Sequence, residues 1–462
     1  MPKPGTASGL TAMALKQPKN SKPQPKQIPE STASVASKSD FPIVGIGCSA
    51  GGLEALEAFL TYLPADSGMA IVIIQHLDPS YISTLPQLLQ RPTVIPVVEA
   101  LEGMPVNANC VYVIPPNKDI ALLHGVLHLY EPTERRGLRL PIDFFLRSLA
   151  VEMQEKAVGV ILSGMGSDGK LGLGAIKEKS GLTVAQEPST AKADSMPNSA
   201  IKSGVVDIVA PPEQLPGRIV NYLKLTPQRV LIEVDQETTF QSSLAKINVL
   251  LRIRSGNDFS LYKPSTLYRR IERRIALLQI DGIASYVRYL RENSQELDLL
   301  FKELLIGVTS FFRDPALWEY LGRNALPALL AKEPGSKLLR AWVPACSSGE
   351  EAYSLAIVFR ETLERLNPAG HFALQVYATD LDPDAIDKAR NGFYPGNIVA
   401  DVSPERLARY FVAEDGGYRV NKDIREMVVF ATQNIISDPP FSKLDLLSCR
   451  NLLIYFGPEL QK

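Results

Sequence analysis

The sequence predicts two parallel-sheet, three-layer α/β domains in series, with a small helical subdomain between them and a disordered N-terminal tail. Three observations carry this. A chain of 462 residues is too long for one ordinary core. Short β-branched runs alternate with helical segments from Phe41, and a second such series begins after Pro334. Residues 1–40 are rich in Lys, Pro, Ser and Gln and almost lack large apolar side chains, so they cannot bury enough surface to offset the entropy of ordering.

Taken in order, "FPIVGIG", "MAIVIIQ", "VYVIPP" and "AVGVILSG" read as strands, with "GLEALEAFLTYL" and "PIDFFLRSLAVEMQEK" as helices between them. The phrase "GVVDIVAPPEQLPGRIVNYLK" closes a first domain at 41–225, and 226–245 is read as a linker. Residues 246–320 form a set of helices, among them "YKPSTLYRRIERRIALLQI" with Arg269, Arg270, Arg273 and Arg274; Arg288 lies in the next helix. Residues 321–462 hold the second α/β series: "LLRAWVPAC", "EEAYSLAIVFRETLERL", "FALQVYATD", "PDAIDKARN", "MVVFATQNI" and "LDLLSCRNLLIYF".

Composition narrows the function. Hydrophobic residues at 45% and charged residues at 21% are those of a soluble globular chain, and a net charge of −1 gives no reason to expect a nucleic-acid partner. Four scattered cysteines and four histidines make a zinc site or a disulfide framework improbable and suggest a reducing, cytoplasmic setting. No apolar run approaches a membrane span, so direct membrane insertion is not expected.

The stretch "GIGCSAGG" at 45–52 admits three readings. Gly45, Gly47 and Ala50 fit a dinucleotide-binding turn, Gly47, Ser49 and Gly51 fit the turn that lifts a nucleophilic serine, and the glycines alone suit a tight strand-to-helix turn. The dinucleotide reading lacks an acid at the end of the next strand, where Gln75 and His76 stand. Ser49, His76 and Asp168 each follow a predicted strand, so a parallel sheet places all three on its carboxyl edge. In that arrangement Ser49 is a nucleophile, His76 its base, and Asp168 the group that orients the imidazole. The bland reading of each is a loop serine, a structural histidine and a turn-forming aspartate.

"IGCSAGG", "IIQHLDP", "PIDFFLRSLA", "LSGMGSDGKLG" and "AQEPSTAKADSMPNSAI" together resemble the catalytic domain of the bacterial chemotaxis protein-glutamate methylesterase CheB, over about 41–225. The resemblance implies a Ser49–His76–Asp168 triad and the backbone N–H of Met165 as oxyanion donor. It also implies a receiver domain ahead of the catalytic one, where this chain has only residues 1–40.

In the second series "RAWVPACSSGEEAYSLA" is a strand, a small-residue turn and a helix, and the next strand ends in Asp380, placed to bind the hydroxyls of a ribose. The bland alternative is a helix N-cap with acidic residues in the first turn. These phrases, with "GVTSFFRD", "ATDLDPDAIDKARNGFYP", "ATQNIISD" and "LLSCRNLLIYF", resemble the chemotaxis receptor methyltransferase CheR from about 245 to 462, which implies a Rossmann-like domain using S-adenosyl-L-methionine. By motif Thr309, Arg313, Glu350 or Glu351, Asp380, Asn434, Ile435, Arg450 and Asn451 are implied cofactor contacts. Arg313 and Tyr455 are implied to border the transferred methyl and the accepting carboxylate, and the arginine-rich helix to face an acidic receptor surface. Gly307 stands where the family often has Asn, so one contact is expected to be missing.

The expectation is therefore a bifunctional chemotaxis-type enzyme that methylates receptor glutamates and hydrolyses the esters. Its implied partners are methyl-accepting receptors or related signalling proteins. The alternative is a catalytically weak regulatory or scaffolding fusion. A last helix and strand pair is expected beyond Lys462, and sensor or kinase modules after it.

Overall fold

The computed structural model describes residues 41–76, 84–132, 139–225, 234–305, 307–332, 337–368 and 370–461, with side chains in the helix that begins at Val234 described from residue 241. The expected disordered tail lies outside these residues, as does 226–233 of the expected linker. Its remainder, 234–245, is the start of a helix spanning Val234–Ser255. All the described residues fall in one compact unit.

A seven-stranded sheet organises the first half, in the order Ile208–Ala210, Leu182–Gln186, Ala157–Ile161, Ile43–Cys48, Ala70–Gln75, Cys110–Val113 and Val97–Glu99. Every pairing in it is parallel. The central strand sends Val44, Ile46 and Cys48 to one core and Ile43 to the other, the alternation expected of a strand buried on both faces. Gly45 and Gly47 face the Pro141–Met153 helix, and a Cβ on Gly47 would lie 2.3 Å from Ile142 Cγ2. Those two glycines let a helix lie directly on the strand, which accounts for them without a dinucleotide. A three-stranded antiparallel sheet, Met104–Pro105, Val126–Tyr130 and Asp119–Leu123, packs beside this layer. The phrase read as closing the domain is a short strand followed by the helix Leu215–Leu225, whose Leu215, Ile219 and Tyr222 enter the core.

Helices Val234–Ser255, Pro264–Leu278, Gly282–Glu292 and Ser294–Leu305 pack around their own apolar cluster, which includes Ile247, Leu267, Ile271, Leu290 and Leu300. The second half then forms a parallel sheet in the order Val428–Thr432, Phe372–Asp380, Lys337–Pro344 and Leu446–Leu447. An antiparallel trio, Phe393–Pro395, Gly417–Val420 and Phe411–Glu414, projects from it. "LLIYF" does not continue as the expected strand. Pairing stops after Leu447, Asn451 adopts a φ of 56°, Leu453–Tyr455 is one 3-10 turn, and Phe456 packs edge-on against Tyr262. No described helix is long and apolar enough to cross a membrane.

The arginine-rich helix departs from the expected exposed face. Arg270 and Arg273 are only 3% and 2% exposed, because they are sealed against the first half. Arg273 bonds Glu303 at 2.6 Å, the carbonyl of Gly181 at 2.9 Å, and Asp207. Arg270 reaches the carbonyls of Lys177 and Glu178, while Lys177 Nζ lies 2.7 Å from Asp207 and 2.6 Å from Glu303. Burial pushes the Glu303 carboxyl up, but Arg273, Lys177 and Arg270 outweigh it and hold the group well below the usual carboxylate range. Arg274 instead pairs with Glu296, and Arg269 is exposed. The buried charges occur where two domains share a boundary, so each cation finds partners on both sides.

Candidate functional sites at two sheet edges

In the first half Cys48 aligns with Gln75 across the parallel pair, so Ser49 and His76 occupy the next rung, just past the strand ends. His76 N–H donates to the Cys48 carbonyl at 3.4 Å and Ser49 N–H to the Ser163 carbonyl at 2.9 Å. Asp168 is almost fully buried. Its carboxylate accepts from the backbone N–H groups of Ile142 and Asp143, at 3.0 and 2.9 Å, at the start of the Pro141–Met153 helix. His76 Nε2 lies 2.9 Å from Asp168 Oδ2, which leaves Nδ1 as the nitrogen available to a third group. The Ser49 hydroxyl makes no hydrogen bond with His76. Cys48, its neighbour, is fully buried in the core, and burial pushes its thiol up to about 12. Met165 is exposed, and its N–H carries no hydrogen bond among the described residues.

Asp143 was not singled out from the sequence. Burial, then the charge of Asp168, raises its carboxyl well above the usual range, and it accepts a 2.6 Å bond from Gly172 N–H. It props the helix start that holds Asp168. Its only sequence signal was an aspartate in the first turn of a helix.

A cavity of about 670 Å³ opens beside His76, Met165 and Asp168. Its far wall belongs to the second half, with Asn397, Val399, Glu414 and Tyr418 from the antiparallel trio and the turn after its first strand. Ser49 is not part of that lining.

In the second half the Lys337–Pro344 strand enters a turn in which Ala345, Ser347 and Gly349 have φ of 54°, 48° and 93°, before the helix Glu350–Leu366. A side chain at Gly349 would press on Ala389 and Phe430 at 2.9 and 3.0 Å, so the tight turn requires glycine. Asp380, at the next strand end, accepts from Ser347 N–H at 2.7 Å and Asp382 N–H at 2.9 Å, and burial raises its carboxyl above the ordinary value.

The cleft at this edge brings together Thr309, Arg313, Glu351 and Asp380 with Asn434, Ile435, Arg450, Asn451 and Tyr455. It does not include Glu350. That side chain turns back onto Ser348, and burial pushes its carboxyl up to about 7. Glu351 faces the cleft, bonded to Ser448 at 2.6 Å and lying 3.5 Å from Arg450. Asn434 is partly engaged already, donating to Asn257 at 2.8 Å. Gly307, lacking a side chain, contributes its carbonyl to Ser347 Oγ at 3.0 Å. Tyr262, also unanticipated, lines the cleft; burial and then Asp380 push its phenol up to about 12.

An adenosyl cofactor fits this donor set. Asp380 offers acceptor oxygens at a strand end, and Gln433 Oε1 is buried in the cleft wall without a partner among the described residues. One lining residue comes from outside the half. Glu178, at the end of the Lys170–Glu178 helix, accepts a 2.7 Å bond from Arg313 Nη2.

Comparison with known proteins follows the same division. Residues 44–219 match the CheB methylesterase family, 242–305 the all-alpha domain of CheR methyltransferase, and 307–462 its SAM binding domain. An uncharacterized 104.1 kDa protein of Rhodobacter capsulatus is 38% identical over 397 residues, 81% of this chain; the chain spans 41% of that relative's length. A chemotaxis protein methyltransferase of Listeria monocytogenes is 33% identical over 44% of this chain and 75% of its own. A protein-glutamate methylesterase/protein-glutamine glutaminase of Burkholderia orbicola is 37% identical over 40% of this chain and 55% of its own. The crystal structure of the Thermotoga maritima CheB methylesterase catalytic domain covers 39% of this chain and 97% of that one, with 30% identity and a TM-score of 0.37. The chain belongs to the chemotaxis protein methyltransferase family, and it carries a CheB methylesterase domain ahead of its two CheR domains.

Proposed function

We propose that the chain hydrolyses glutamyl methyl esters in its first half and methylates glutamate carboxylates in its second, both on methyl-accepting receptors of a chemotaxis-type pathway in the cytoplasm. The observation that carries the reading is the convergence of each half's polar residues on the carboxyl edge of its own parallel sheet.

In hydrolysis Ser49 Oγ attacks the ester carbonyl, and His76 takes its proton on Nδ1 because Nε2 is committed to Asp168. Asp168 is itself fixed by two backbone donors, so the ring is held in one orientation. Met165 N–H stands ready for the oxyanion, and His76 gives the proton to the departing methoxide, which leaves as methanol; water, deprotonated by the same His76, then cleaves the acyl–Ser49 bond and restores the serine hydroxyl and the free carboxylate. The Ser49–His76 bond forms as ester enters; catalytic hydrogen bonds commonly tighten only in the complex.

In methyl transfer S-adenosyl-L-methionine, when bound, supplies a methyl activated on a sulfonium. Asp380 and the Ser347 turn would hold the ribose, and Thr309, Asn434, Ile435, Arg450 and Asn451 the rest of the cofactor. Glu351 steadies Arg450. Arg313 and Tyr455 fix the accepting carboxylate. A carboxylate is already ionised near neutrality, so no base is required, only alignment.

Methanol release from a methylated receptor, and label transfer to an unmethylated one, test the two activities on the same preparation. Absence of both would favour a scaffolding role.

A further inference from the structure

We propose that Glu178 of the esterase half is itself a methyl acceptor for the transferase site of the same chain. The inference rests on the transferase reading of the second-half cleft. Glu178 lies in that cleft with its side chain 17% exposed, and its Oε1 accepts the 2.7 Å bond from Arg313. Tyr455 is close enough that, after burial, the Glu178 charge is the next cause raising its phenol. A carboxylate therefore already occupies the ground assigned to the accepting glutamate. Its second oxygen, Oε2, carries no hydrogen bond among the described residues, so a lone pair remains free.

The placement is held from both sides. Arg270 bonds the carbonyls of Lys177 and Glu178, and Arg273 bonds that of Gly181, all from the buried charge cluster between the halves. An ordinary ion pair across a domain boundary has no need to lie inside a cofactor cleft, or to consume the arginine that the reaction requires.

The step balances without a proton. A Glu178 oxygen bonds the methyl carbon as the carbon–sulfur bond of S-adenosylmethionine breaks; the sulfonium leaves as the neutral thioether S-adenosylhomocysteine, and the carboxylate becomes a neutral ester. Held in place, the acceptor reacts at high effective concentration. The neutral ester accepts a weaker bond from Arg313 than the carboxylate does, because the pairing of two opposite charges is lost, so the first turnover loosens the arginine for an external acceptor.

The test uses the full chain carrying Ser49→Ala, which keeps any ester from being removed. After incubation with S-adenosylmethionine, peptide mass spectrometry should find a methyl ester on Glu178, formed at a rate per chain that dilution does not change. Adding Glu178→Gln should lower incorporation roughly tenfold or more. Calorimetry with S-adenosylhomocysteine should show binding in both proteins. Cofactor binding without ester at Glu178 would reduce the contact to an ion pair and overturn the proposal alone. A rate that falls on dilution would overturn the intramolecular assignment. No binding of S-adenosylhomocysteine would remove the transferase reading and the proposal with it.

Discussion

The two candidate sites stand at equivalent sheet edges and are finished differently. Around Asp168 the critical contacts are local to the first half, made by backbone N–H groups at a helix start, and the cavity in front is about 670 Å³. Around Arg313 the cleft is narrower, and its carboxylate comes from the other half. One site takes its polar contacts from its own half and borrows a wall; the other borrows a charged side chain. Their sensitivity to the domain boundary should differ accordingly.

The largest expected effect breaks the comparison on the esterase side. Ser49→Ala should lower methanol release by about 10³ or more while leaving S-adenosylhomocysteine affinity unchanged. Hydrolysis that survives the change would remove Ser49 from its role.

Arg273→Ala attacks the boundary itself. It takes the most buried cation from Glu303 and Asp207, leaving Lys177 on both and Arg270 on Glu303, and removing one partner of a buried pair costs at most about 3–5 kcal/mol. Denaturant unfolding should show both halves weakened in a single transition. An unchanged midpoint would mean that the cluster is solvated.

Asp380→Ala confines the change to the cofactor side. Loss of charge-assisted bonds worth about 1.5–3 kcal/mol each should reduce S-adenosylhomocysteine affinity at least roughly tenfold by calorimetry, with ester hydrolysis unaffected. Equal affinities would place the ribose elsewhere.

The smallest effect is a pH dependence. Glu350 is pushed up to about 7 by burial, above its ordinary value of 4.5, so the folded chain binds the extra proton between those two values. Its burial is therefore cost-free in acid, and the penalty grows through that interval to its full size above about 7. Glu350→Gln should stabilise the protein at pH values above that range by about 1 kcal/mol, once the loss of one of its two Ser348 contacts is set against the relieved burial, and the gain should vanish in acid. A gain equal at all pH values would assign the effect to packing.

Much of the first site was legible in the sequence because strand ends can be read from β-branched runs, and a parallel sheet converts three strand ends into one edge. That logic set Ser49, His76 and Asp168 on one edge; the structure bonds His76 to Asp168 and leaves Ser49 on the adjoining rung without a bond to His76. The second site was legible down to the motif, but Glu350 and Glu351 could not be separated, since consecutive helical residues point about 100° apart and only packing decides which faces the cleft. "LLIYF" has a strand-like composition, yet a positive φ at Asn451 and the pull of Phe456 onto Tyr262 turn it into a 3-10 segment. Glu178 was invisible for a stronger reason. It lies 135 residues from Arg313, in "AIKEKSG", and nothing local marks a lysine–glutamate pair at a helix end as belonging to another domain's cleft. Burial of Arg270 and Arg273 was hidden likewise, because an arginine-rich helix has the same sequence whether it meets water or a partner surface.

The antiparallel trio between Phe393 and Val420 is at once a projection of the transferase half and a wall of the esterase cavity. Under the proposed function, a client settled on that outer sheet would shade the cavity mouth, and one entering the mouth would press against the sheet. Writing and erasing the methyl mark would then be successive visits, each ended by release of the client, and net output would be set by how often each doorway is approached.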